Sequence, residues 1–110
     1  MKITDLLKID NIVSLNNIKP DAVIDDFFVC DLLSWVTGHV KKDNTALITI
    51  NCSFNVIAVA TLLNIPCIIF CDDVTPKIEL INKANEEGIT LFAYPYSSFS
   101  LVRKINNYEI

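Results

Sequence analysis

The sequence has few of the groups from which common active sites are built. Gly38 and Gly88 are the only glycines in its 110 residues. No Walker loop and no Gly-x-Gly-x-x-Gly fingerprint are present, which excludes a glycine-rich phosphate cradle. His39 is the single histidine. The four cysteines, Cys30, Cys52, Cys67 and Cys71, contain no CxxC pair. So scattered a set cannot complete a zinc site with one histidine, and neither a metal nor a cofactor is expected. Lysine and arginine form no block, and the net charge is -4 with a pI near 4.7. That balance argues against nucleic-acid binding through phosphates. No apolar run approaches the ~20 residues of a membrane span. The start Met1-Lys2-Ile3 lacks the apolar core and cleavage site of a signal peptide. The expectation is a cytoplasmic protein with free thiols, no membrane partner, and no glycan on the formal sequon Asn51-Cys52-Ser53.

Apolar residues are abundant. They make up 52% of the chain against 20% charged residues, which excludes disorder. The length fits one domain over residues 1–110 with a real core. So high an apolar fraction in so small a chain points to a buried subunit interface, and a homodimer is expected.

Residues 46–70, ALITINCSFNVIAVATLLNIPCIIF, organise the rest. Residues 46–50 and 67–70 are short, Ile-rich apolar runs, as found in strands buried on both faces of a parallel sheet. Residues 55–63 have room for a helix between them, giving one strand–helix–strand crossover. Upstream, residues 2–8 predict a short helix capped by Thr4 or Asp5, and residues 11–15 a strand. Residues 22–30 predict a second strand, interrupted by Asp25-Asp26, which read as a solvated bend or edge. Asp31 is placed to cap a helix over 32–40, where Gly38 would permit close packing and His39 sits near the end.

Downstream, Thr75 and Pro76 predict the start of a helix over 76–87 that buries Ile78, Ile81 and Ala84. Gly88 is placed to end it in the left-handed conformation. A strand at 89–93 follows, then a helix capped by Ser97 or Ser98 with Phe99, Val102 and Ile105 on its apolar side. Residues 106–110 predict a frayed or interface-bound tail. The fold class is therefore α/β: three layers, a mostly parallel sheet flanked by helices, with a β-α-β-α-β-α core.

Two strand-to-helix turns are rich in small polar groups. One holds Asn51, Cys52, Ser53 and Asn55; the other holds Ser97 and Ser98. Each reads either as a helix cap or as a contact for a ligand at the positive end of a helix. Cys52 at a helix start also raises the alternative of a cysteine-dependent enzyme.

The run Cys30 to His39 (CDLLSWVTGH), then Leu47 to Ile50 (LITI) and Asn55 to Ala60 (NVIAVA), resembles small stand-alone DRTGG-domain proteins. So does the close, Lys83 to Ile89 (KANEEGI) followed by Ser97-Ser98-Phe99. These domains accompany CBS-domain pyrophosphatases and resemble the N-terminal domain of HPr kinase/phosphorylase. The literal Asp-Arg-Thr-Gly-Gly string is absent, and the strand-end turn, commonly Gln-Thr-His in relatives, is Asn51-Cys52-Ser53 here. The resemblance implies an HPr kinase N-terminal-like fold and a non-catalytic regulatory or interaction domain. It implies a homodimer that senses a small ligand such as an adenine nucleotide or another small anion. The alternative it implies is a structural accessory subunit bound to a redox or hydrogenase-type protein partner.

Overall fold

A computed structural model describes residues 1–107. It opens with a 3-10 helix, Ile3–Lys8, where an α-helix is not formed. Asp5 accepts the Lys2 amide at 2.9 Å and pairs with Lys8 at 3.0 Å, which together hold its carboxyl below the usual range. The strands are β1 (Val13–Ser14), β2 (Asp26–Val29), β3 (Thr45–Thr49), β4 (Cys67–Phe70) and β5 (Thr90–Ala93). The helices are α1 (Leu33–His39), α2 (Asn55–Leu62), α3 (Ile78–Glu87) and α4 (Ser98–Asn107). The five strands form one sheet in the order β1-β5-β4-β3-β2. All neighbours are parallel except β1, which runs antiparallel to β5.

From β2 to β5 each crossover steps to the adjacent strand in the same direction, so α1, α2 and α3 share one face of the sheet. Their Val36, Val56, Ile57, Ala60, Leu80 and Ala84 pack there against Leu47, Ile68, Phe70 and Leu91. The 3-10 helix and α4 cover the other face, where Ile3, Leu6, Leu101 and Ile105 meet Ile48, Ile69, Phe92 and Tyr94. β3 and β4 are buried along their whole length, which is why their runs lack polar alternation.

The flanking strands are shorter than their apolar runs predict. β2 is one of the two sheet edges, with Asp26 in the strand and Asp25 just before it accepting the Asn44 side-chain amide at 2.9 Å. Beyond β1, Asn16 replaces ladder bonds with its side chain, donating to the Ile89 carbonyl at 2.9 Å and accepting the Leu91 amide at 2.8 Å.

Several caps differ from expectation. Leu32, not Asp31, is the N-cap of α1, and it makes no side-chain bond. Lys77, not Thr75, precedes α3, which begins two residues later than the Thr-Pro pair predicts. The α3 residues that meet the sheet are Leu80 and Ala84, one turn apart, with Ile81 half-buried and Ile78 exposed on the first turn. On α4 the buried pair is Leu101 and Ile105, again four apart, so the three-residue series leaves Phe99 and Val102 exposed. A Cβ on Gly38 would meet nothing within 4 Å, so this glycine permits no close packing within the chain. Gly88 does end α3 with φ 71°. Asn106 and Asn107 belong to α4, and the rest of the expected tail, 108–110, lies outside the described residues.

Candidate functional site

The loops that leave β2, β3, β4 and β5 gather at one end of the sheet, beyond the strands' C-terminal ends. Ligands of open α/β sheets bind there, where adjacent connections diverge to opposite faces. In this chain α3 leaves β4 to one face and α4 leaves β5 to the other, so the divergence lies between β4 and β5. Backbone closes it. The Asp72 amide donates to the Tyr96 carbonyl at 2.8 Å and the Asp73 amide to the Tyr94 carbonyl at 3.4 Å. Asp72 and Asp73 both adopt left-handed backbone, φ 55° and 60°, to make these bonds. That conformation costs about 1 kcal/mol per residue. Buried Tyr94 completes the closure, its hydroxyl 2.7 Å from Ser100 Oγ.

The open cleft lies one strand over, between the β3–α2 and β4–α3 loops. Its volume is about 450 Å³. Cys52, Ser53 and Phe54 form one wall, and Thr75 and Lys77 the other, with Leu80 at the floor and Glu79 at the rim. The positive ends of α2 and α3 both open near this cleft, and the exposed Lys77 adds a full positive charge. Thr75 and Ser53 supply hydroxyls, and Phe54 an aromatic surface. The arrangement can bind an anion carrying a planar group.

The first wall is held from behind by Asp31. Its carboxylate accepts the Thr49 hydroxyl at 2.8 Å and the Ile50 amide at 2.8 Å. Asn51 donates to the Asp31 carbonyl at 3.0 Å and accepts the Ser53 amide at 3.0 Å. Asn51 thus braces the turn, and no side chain caps α2. The capping reading of this turn is thereby corrected: the Asn51 bond is local to the turn and serves a residue before the helix. Asp31 leaves its predicted cap for the same reason, because the β3 end offers it a hydroxyl and an amide together.

The structure brings Cys52 and Ser53 into the cleft. Asn51 lies behind them, and Asn55 is the exposed first residue of α2. Ser97 and Ser98 lie elsewhere, past β5. Ser97 Oγ accepts the Ser100 amide at 3.1 Å and so caps α4. Sequence reasoning missed Lys77, Phe54 and Asp31 as members of this region. The Thr75-Pro76 pair was the available signal for the second wall, since it marks an irregular lead into a helix.

Half-buried Cys52 has no hydrogen-bonded base among the described residues. His39 stands on α1, stacked on Trp35 with ring centroids 3.6 Å apart, its Nδ1 2.9 Å from the Trp35 carbonyl. Cys67 and Cys71 are buried, and burial pushes both thiols up, Cys71 to about 12 with Asp72 and Asp31 adding to the effect. Among the described residues, no group of three or more His, Cys, Asp or Glu side chains could hold a metal ion. No described helix is long and apolar enough to cross a membrane.

The model of the family described as HPr Serine kinase N terminus matches residues 55–108. No curated protein matches the chain. Among solved structures, the chain is similar to the CBS and DRTGG domains of the regulatory region of Clostridium perfringens pyrophosphatase, a structure complexed with the activator diadenosine tetraphosphate. The TM-score is 0.75 at 19% identity, over 94% of this chain and 45% of that one. The chain therefore spans less than half the length of that relative. The family match and the shared fold together support a DRTGG-like domain.

Proposed function

We propose that the chain is a non-catalytic regulatory domain, a cytoplasmic homodimer, that binds an adenine nucleotide or another small phosphate anion. The observation that carries the reading is the cleft between the β3–α2 and β4–α3 loops, where two helix N-termini and Lys77 converge. Helix N-termini and a cation favour phosphate. Phe54 offers a stacking surface for a base. The likeness to a regulatory region complexed with a dinucleotide activator supports the choice of ligand class. The lack of a base at the Cys52 thiol among the described residues favours binding over thiol catalysis.

A thermal-shift titration of the purified protein with AMP, ADP, ATP, diadenosine tetraphosphate and inorganic phosphate tests this. A ligand at a hundredfold excess over its dissociation constant adds about 2.7 kcal/mol of stability. An adenine-specific shift, weakened in Lys77→Ala, is the expected result. A flat response from a well-folded sample refutes the ligand reading.

A further inference from the structure

α3 begins against its own dipole. Its N-cap is Lys77, a full cation at the positive end of the helix, where an anion is the favoured neighbour. The Lys77 side chain has no ion pair or hydrogen bond among the described residues to offset that cost. Breaks of a local rule without a local remedy concentrate at functional sites. Lys77 lines the cleft between the β3–α2 and β4–α3 loops, and so does Glu79, two residues on. Side chains two apart at a helix start do not face each other, and these two charges form no pair.

We infer that the cleft takes a ligand with a single phosphate group, a nucleoside monophosphate, and that Glu79 excludes di- and triphosphates. This inference rests on the nucleotide reading above and specifies which nucleotide. A phosphate monoester carries about −1.5 to −2 charges at neutral pH. Lys77 supplies one positive charge, and the start of α2 about half of another. The first turn of α2 holds no acidic residue, so its partial charge is not offset. The amides of Phe54 and Asn55 at that start donate to no group among the described residues, and neither does the Ser53 hydroxyl. These donors can hold the oxygens of one phosphate. The partial charge of α3 is already met by Glu79 in its first turn. Every further phosphate brings more negative charge. The groups left to meet it are Glu79 at the rim and Asp72 and Asp73 earlier in the same loop, all exposed and without an ion pair among the described residues. Like charges placed together are penalised.

Room points the same way. Ligand pockets run from roughly 300 to 1,000 Å³. This cleft, at about 450 Å³, lies toward the small end. Phe54 and buried Leu80 give one base its apolar contacts. That suits one nucleoside with its phosphate beside Lys77. A dinucleoside tetraphosphate has a second nucleoside with no wall to rest on and a phosphate chain that would run past Glu79.

Isothermal titration calorimetry of the full chain with AMP, ADP and ATP, without magnesium and at one ionic strength, tests the proposal. Wild type is expected to bind AMP at least about tenfold more tightly than ATP, with ADP between them. Glu79→Gln removes a charge at an exposed position and should keep a native far-UV circular dichroism spectrum. It should tighten ATP at least about fivefold and leave AMP within about twofold of wild type. ATP bound as tightly as AMP by wild type, or more tightly, overturns the inference and leaves the nucleotide reading standing. A preference for AMP that Glu79→Gln does not reduce overturns the role of Glu79. No binding of any of the three by a folded sample refutes the nucleotide reading and this inference together.

Discussion

The Asp31 carboxylate accepts the buried Thr49 hydroxyl at 2.8 Å and so ties the end of β2 to the end of β3. The same oxygen takes the Ile50 amide at 2.8 Å. Removing it orphans a buried hydroxyl and a backbone amide at once. Asp31→Ala is expected to lose about 1–2 kcal/mol, and Asp31→Asn, which keeps an acceptor, less than half of that. Urea unfolding of the two variants checks the ordering.

The first wall of the cleft separates bracing from binding. Among the described residues the Ser53 hydroxyl makes no hydrogen bond, and the Asn51 side chain has two polar partners. Ser53→Ala should leave stability within about 0.5 kcal/mol of wild type. Asn51→Ala should cost about 1–2 kcal/mol through its lost bonds. Measured side by side with nucleotide titrations, Ser53→Ala isolates any contribution of the hydroxyl to binding.

Gly88 ends α3 at φ 71°, a conformation that side chains resist. A Cβ there also crowds the end of the Lys19 side chain, which is flexible and can move aside. Gly88→Ala should therefore cost about 1 kcal/mol, chiefly from the backbone, and lower the urea midpoint without changing the slope.

The buried thiols give the stability a dependence on alkaline pH. Cys67 and Cys71 rise from an ordinary value of 9.0, Cys71 to about 12. Between pH 9 and 12 the unfolded chain releases protons that the folded chain keeps, so stability is intact below pH 9 and falls above it. The slope reaches at most about 1.4 kcal/mol per pH unit for each thiol. Chemical unfolding of wild type and of Cys67→Ala/Cys71→Ala as pH rises should give a shallower decline in the double variant.

What was legible in the sequence follows from the period of its apolar residues. β3, β4 and the helix between them stand where the Ile-rich runs put them, because burial on both faces leaves no competing pattern. Gly88 was readable because its φ is a local demand. Caps were less so. Asp31, Thr75 and Asn51 are all residues that favour helix starts, yet Asp31 and Asn51 bond to groups brought by neighbouring strands or turns. The apolar faces of α3 and α4 were read in part, Ala84 and Ile105 being buried as expected, and the rest differs for a related reason. Runs of three-residue spacing and four-residue spacing overlap in so short a helix, and the sheet selected Leu80 with Ala84 and Leu101 with Ile105. The cleft was half visible, since one wall is a polar turn and the other is Lys77, a surface lysine with no local signature.

The pairing of β1 with β5 joins Val13 to Ala93 and closes the sheet across nearly the whole chain. The strands between them pair with sequence neighbours and can assemble one crossover at a time as the chain is made. α4, which covers the opposite face, comes last of all. On the ribosome, Ile48, Ile69 and Phe92 must therefore wait for that final helix before their face of the sheet is shut. The interval exposes segments rich in isoleucine and free of charge, the composition most prone to intermolecular strand pairing. Slowing synthesis between β5 and α4 is therefore expected to lower yield more than slowing it before β3.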